Sequence, residues 1–290
     1  MAVQLQDILR SLPVICDGAW GTQLQERGLA AGECPDSWNL THPDRVEEVA
    51  RRYVEAGSQI ILTNTFRANP ITLADYGLAQ QTAEINRAGA EISRRAAGDR
   101  ALVFASMGPT GRLLVTGDVQ EQDLRDAFLL QARALAEGGT DGIVIETMAD
   151  LTEATVAAVA ALETGLPVIA SMVFDSGKHK DRTMMGVTPE QAADALTKAG
   201  VTAVGANCGL GIAGYVPVCR KLHAATDLPI WIKANAGMPT VVSGVPVYAT
   251  TPAEFSSYAA ALVEAGASFI GGCCGTSPEY IGALALSLGR

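Results

Sequence analysis

Ala267-Ser268-Phe269-Ile270-Gly271-Gly272-Cys273-Cys274-Gly275-Thr276-Ser277-Pro278-Glu279 runs from an apolar stretch, through two adjacent thiols framed by glycine, into a helix start with proline in its first turn. The same phrase, an apolar run, a polar loop and then a helix of 3.6 periodicity, recurs along the chain eight times. The spacing predicts strands at 14–17, 59–65, 101–107, 142–146, 168–174, 203–207, 230–235 and 269–272. Each run is almost unbroken in apolar residues rather than alternating, the pattern of a parallel sheet buried on both faces. Asp150 to Glu153, Thr188 to Gln191 and Thr251 to Glu254 have capping-box spacing. Gly57, Gly139, Gly200 and Gly266 stand where left-handed C-terminal caps are wanted. Eight such units without a break in composition read as a (β/α)8 TIM barrel, an α/β fold, with residues 1–290 forming one domain.

Loop lengths locate the functional face. Turns from helix to strand are short, whereas the strand-to-helix loops 18–40, 108–119, 175–187 and 236–250 are long. Long loops on one rim mark the C-terminal end of the barrel strands, where such barrels carry their chemistry. Cys273 and Cys274 belong to that rim, and so does Cys208, which follows Ala203-Val204-Gly205-Ala206-Asn207. Strands six and eight of a closed barrel have one neighbour between them, so the three sulfurs can meet over its mouth. Three thiolates make a soft metal site suited to Zn2+, and three protein ligands leave the fourth tetrahedral position open for a substrate. A thiol is the expected guest, because the metal deprotonates it outright and leaves a nucleophilic sulfur.

Bulk properties restrict the partners. The chain has 290 residues, 48% hydrophobic and 18% charged, with a formal charge of −10. Its isoelectric point is near 4.8 and its mean hydropathy +0.20. No Lys/Arg cluster rises above the acidic background, which argues against nucleic acid or an anionic membrane as partner and for a small molecule. No apolar run approaches the roughly 18 to 20 residues that a spanning helix needs. Residues 1–10 lack the basic stretch and apolar segment of a secretion signal, so the expected location is cytoplasmic. There, six cysteines suit metal binding, catalysis or core packing rather than disulfides. Cys16 and Cys219 read as core, Cys34 as a loop thiol.

Asp17-Gly18-Ala19-Trp20-Gly21-Thr22, Thr63-Asn64-Thr65-Phe66, Gly108-Pro109-Thr110-Gly111, Glu146-Thr147, Asn207-Cys208, Asn235-Ala236-Gly237 and Gly271-Gly272-Cys273-Cys274-Gly275-Thr276 occur in that order. Over residues 13–281 the chain thereby resembles the homocysteine S-methyltransferases, including betaine- and S-methylmethionine-dependent enzymes and the homocysteine-binding module of cobalamin-dependent methionine synthase. The resemblance implies the barrel fold and a zinc ion held by Cys208, Cys273 and Cys274. It also implies methyl transfer to the thiol of homocysteine, whose sulfur completes the metal's tetrahedron, to give methionine. It places Asp17 and Glu146 at the amino group of the substrate. The backbone N–H groups of Gly18 and Ala19 suit its carboxylate, and Asn235 is a further candidate for holding the amino acid. The donor is left as a small molecule or a methyl-corrinoid presented by a separate protein. Trp20, Trp38, Phe66 and Tyr248 are the aromatic residues offered by the functional loops for a cationic donor.

Three other readings compete. Gly209-Leu210-Gly211-Ile212-Ala213-Gly214 matches a dinucleotide fingerprint, yet the following strand lacks the ribose-binding acid at its end. Lys233 near a strand tip suits a Schiff-base lyase of the same barrel type, although that reading leaves three rim cysteines unexplained. A zinc-thiolate barrel that binds a thiol metabolite or corrinoid protein without turnover is the non-enzymatic alternative.

Overall fold

The computed structural model describes residues 10, 12–238, 240–242 and 245–290, so the signal-peptide reading of residues 1–10 falls almost wholly outside the described residues. Eight parallel strands form one sheet: β1 (Val14–Ile15), β2 (Ile60–Leu62), β3 (Leu102–Met107), β4 (Gly142–Met148), β5 (Val168–Met172), β6 (Ala203–Gly211), β7 (Ile230–Asn235) and β8 (Ala267–Gly272). Their spatial order is β1-β8-β7-β6-β5-β4-β3-β2. A parallel bridge between Cys16 and Ile60 joins the first strand to the last. It is flanked by hydrogen bonds from Gln59 N to Ile15 O (2.8 Å) and from Asp17 N to Ile60 O (3.1 Å), which close the ring. This is the (β/α)8 barrel expected from the repeat. No helix among the described residues is long and apolar enough to cross a membrane.

Two apolar layers follow from the two-residue period of a strand. One set of alternate residues packs against the helices, as Ile61, Val103, Ile143, Ala170, Val204, Ile232 and Ile270 do. The other fills the barrel with Val14, Cys16, Ile60, Leu62, Leu102, Phe104, Val144, Ile169, Ala203, Trp231 and Phe269. Following each inward set toward the strand C-termini, apolar residues give way to polar ones. Phe104 is succeeded by Ser106, Val144 by Glu146, Ile169 by Ser171, and Trp231 by Lys233. All four polar residues are buried. Gly205 is required at the apolar level, since a Cβ there would lie 2.2 Å from the Trp231 carbonyl oxygen.

Helix starts follow their readings at the N-cap residue, but of the three expected capping boxes only the one at Thr188 and Gln191 is complete. Thr188 and Thr251 cap Pro189–Ala199 and Pro252–Ser257, accepting from Gln191 N and Glu254 N (both 3.2 Å). Such caps stabilise a helix by about 1 kcal/mol each. Gly57, Gly139, Gly200 and Gly266 all have φ between 85° and 101°. Asp150 caps Leu151–Leu162, but Glu153 does not complete the box. Its carboxylate instead accepts from Thr110 N (2.7 Å) and Thr110 Oγ1 (2.6 Å), fastening the loop after β3. Burial favoured the partner with two donors over the single N-cap amide.

Candidate active site

The metal-ligand candidates come together at the C-terminal rim. The strand register places Ala234 of β7 opposite both Cys208 of β6 and Gly272 of β8, so Cys208 and Cys273 emerge at nearly the same height. Cys273 N donates to Ala234 O (2.7 Å) and Ala236 N to Cys274 O (3.0 Å), locking the thiol pair against β7. Gly272 is the close-approach residue here, as a Cβ on it would lie 2.2 Å from Thr276 Oγ1. Cys208 takes φ of +62°, a left-handed backbone that non-glycine residues seldom adopt, beside a register shift in the β6–β7 ladder. Strain of this kind persists where surrounding hydrogen bonds over-determine it.

The three sulfurs lie within 4.8 Å of one another, with Cys208 Sγ 3.8 Å from Cys274 Sγ. Ligands on a tetrahedral zinc at about 2.3 Å are separated by about 3.8 Å, so this donor set fits the ion in element and in span. Donation from the Cys273 and Cys274 thiols holds Cys208 down at about 3. The same shared bond with Cys208 raises Cys273, and Cys274 is pushed up to about 12. The three thiols therefore titrate as a set rather than singly, and a bound cation would favour the charged form of each. All six cysteines are free, with Cys16, Cys34 and Cys219 buried elsewhere.

Asn207 is the hub behind the metal ligands. Its Oδ1 accepts from Thr147 N (2.8 Å) and Ser171 Oγ (2.7 Å), while its Nδ2 donates to Thr147 Oγ1 (2.7 Å) and approaches Cys273 Sγ (3.9 Å). Thr147, like Cys208, has positive φ (61°), so two strained strand ends are braced by one amide. Asn235 donates from Nδ2 to Gly209 O (3.2 Å) and hydrogen-bonds the Cys208 sulfur. It therefore sits against a ligand loop rather than in the cavity wall.

A cavity of about 300 Å3 opens beside the sulfurs, lined by all three cysteines, Gly18, Ala19, Glu146 and Lys233, with Trp20, Phe66, Asp36 and Arg67 toward its mouth loops. That volume is at the small end for metabolite sites. Glu146 is 7% exposed, accepts a short hydrogen bond from Ser106 Oγ, and has its carboxyl raised by burial against the lowering effects of Lys233 and Ser106. Asp17 is fully buried and stands behind the wall. Its Oδ1 pairs with Lys233 Nζ, and its Oδ2 accepts from Leu62 N (2.7 Å) and Trp20 Nε1 (2.8 Å). Ala19 N donates to Thr276 O and Oγ1 (both 3.2 Å). Among the donor aromatics, Trp20 and Phe66 line the cavity. Trp38 is buried against His42, and Tyr248 packs on Gly275.

Lys233 corrects one competing reading. Burial by itself would push its ammonium down, but the Asp17 and Glu146 carboxylates more than reverse this and the net shift is upward. A Schiff-base lysine must be neutral to attack a carbonyl, and the buried ion pair with Asp17 opposes that. The signal in the sequence was a cation in the otherwise apolar run Ile230-Trp231-Ile232-Lys233-Ala234, which in a buried strand demands an acid.

Asp36 makes a pH-dependent contribution to stability. It is 1% exposed, accepts from Arg67 N (3.0 Å) and faces the Cys34 sulfur (3.8 Å), yet burial pushes it up to about 6. The folded state then holds the proton more tightly than the unfolded chain, so this group favours folding most below its ordinary value of 3.8. Stability falls by about 3 kcal/mol as pH rises from there through about 6. Urea titrations of Asp36→Asn should show this slope removed, with the variant more stable than wild type at pH 7.5; parallel curves would refute it.

Comparison with known sequences agrees with this geometry. The sequence profile described as homocysteine S-methyltransferase matches residues 14–288. The chain belongs to the homocysteine S-methyltransferase family. Methionine synthase of Mycobacterium leprae (strain TN) is 31% identical over 306 residues, covering 98% of this chain and 25% of that protein. Methionine synthase of Mycobacterium tuberculosis (strain ATCC 25618 / H37Rv) is 32% identical over 296 residues, covering 96% and 25%. The chain thus spans about a quarter of the length of these curated relatives. Among solved structures, the metallated form of the homocysteine methyltransferase MmuM from Escherichia coli superposes with a TM-score of 0.81 and 25% identity, over 97% of this chain and 99% of that one.

Proposed function

We propose that this barrel transfers a methyl group to the thiol of homocysteine, giving methionine, with zinc held by Cys208, Cys273 and Cys274. The observation that carries the reading is the convergence of three sulfurs on the wall of a cavity that also presents Glu146. Zinc bound there would supply a Lewis acid that ionises an incoming thiol at neutral pH, where a free one with a pKa of about 8.5 is only a few per cent ionised. The chain's own groups do the rest. Glu146 holds the substrate ammonium, Asn207 and Asn235 keep the cysteines in place, and Gly18 offers its backbone N–H at the cavity wall. The sulfur's electron pair forms the new S–C bond as the methyl group's bond to the donor breaks, and the donor keeps those electrons.

Trp20 and Phe66 with the carboxylate of Asp36 favour a cationic donor, a sulfonium or quaternary ammonium, which leaves neutral. A methyl-corrinoid on a separate protein is the second reading, favoured by the identity to the two methionine synthases. The proposed compartment is the cytoplasm, where free thiols persist. Isotope-labelled methyl is to be offered to the zinc-loaded protein with homocysteine, as betaine, S-methylmethionine, S-adenosylmethionine, methylfolate or methylcobalamin. Labelled methionine is expected from a cationic donor or from methylcobalamin. Thiol binding without label transfer from any donor would leave a zinc-thiol binding module in place of the enzyme.

A further inference from the structure

Lys233 is the one basic side chain buried in the barrel interior among the described residues, at 2% exposure, and it lines the cavity. The register places it opposite Asn207 on one side and Gly271 on the other, one residue below the level of Cys208, Ala234 and Gly272. An ammonium has three N–H donors. Asp17 takes one, and the face of Trp231 lies 5.8 Å away, leaving donor capacity without an acceptor from the described residues. Asp17 balances the ammonium's charge, so what remains for a guest is a desolvated, charge-assisted N–H donor, and such bonds gain most where water is excluded.

Asp17 cannot play the part that its place at a strand tip suggests without giving up a partner. Its two oxygens already accept from a lysine, a backbone amide and an indole, and it has no exposed surface. Glu146 is left as the acid at the cavity floor. A cation and an anion thus stand beneath the sulfurs, matching the two ends of a zwitterion whose thiol points up at the cysteines.

We propose that Lys233 binds the α-carboxylate of the thiol amino acid, with Asp17 as its positioning partner; the inference rests on the reading that the substrate is such an amino acid. The residue would make the site select thiols that carry a carboxylate three bonds or so from the sulfur-bearing arm. Binding of three thiols to the zinc-loaded protein, followed by isothermal titration calorimetry, tests this without any methyl donor. Homocysteine has both charged groups, 4-mercaptobutanoate lacks the amine, and 3-aminopropane-1-thiol lacks the carboxylate.

Lys233→Met should weaken homocysteine and 4-mercaptobutanoate on the order of 30- to 100-fold, and 3-aminopropane-1-thiol by less than about threefold. Because that variant strands a buried carboxylate, Asp17→Asn/Lys233→Met, which removes both charges, is to be measured beside it and should show the same selectivity. Equal weakening of all three thiols, or a double variant that binds homocysteine as wild type does, would overturn the role of Lys233 alone. Wild-type protein that binds none of the three would sink the thiol-substrate reading along with it.

Discussion

Serine in place of Cys208, Cys273 or Cys274 is expected to reduce bound zinc from one per chain to a small fraction and to lower methyl transfer by more than about 100-fold. A hydroxyl is a far weaker and harder ligand than a thiolate, and the two remaining sulfurs cannot close a stable site. The fold should survive. The three residues stand at strand tips and are only partly buried, and the barrel interior is filled by other side chains. Elemental analysis by plasma mass spectrometry, set beside far-ultraviolet circular dichroism, separates loss of metal from loss of structure. Cys219→Ala serves as the control, since that thiol is fully buried on a helix and donates weakly to Ala265 O (3.5 Å), away from the site. Wild-type protein that is active yet free of metal when purified under reducing conditions would end the zinc account.

Glu146→Gln should raise KM for homocysteine by about 30- to 100-fold, with a smaller change in kcat, because the lost interaction holds the substrate in ground and transition state alike. The same change should leave 4-mercaptobutanoate, which has no amine, within about threefold of wild type. It is thus the mirror image of the Lys233 variant, and the two together map each end of the amino acid. The pH dependence has a definite sign. Burial raises the Glu146 carboxyl above its ordinary 4.5, so the ionised form that pairs with an ammonium is lost earlier on acidification than for an exposed glutamate. Affinity for homocysteine should fall with decreasing pH on that limb in wild type and stay flat over it in Glu146→Gln. A KM unaltered by the substitution would remove Glu146 from the substrate site.

Strand ends show where local reading stops. β4 continues to Met148 and β6 to Gly211, past the expected ends at 146 and 207, because Thr147 and Cys208 turn to positive φ and the ladder resumes beyond them. Conversely β1 and β2 are only Val14–Ile15 and Ile60–Leu62, and the single bridge from Cys16 to Ile60 is the pairing between them. The strand pair Thr240–Val242 and Val245–Val247, inside the long loop after β7, lies on two β-branched runs that flank Ser243-Gly244, a signal that the reading of this stretch as loop passes over.

The order of residues along the chain was enough to determine eight buried parallel strands, their closure into a barrel and the rim on which three cysteines meet. Each of those follows from local periodicity, from helix caps and from the chain-length rules of parallel sheets. Only the tertiary structure decided which charges face the cavity. Asp17 and Lys233 are 216 residues apart and pair across the barrel, which turns an acid at a strand tip inward and leaves the lysine at the floor. No local pattern encodes that choice, because the energy of a buried charge depends on what every other strand brings to the same desolvated space.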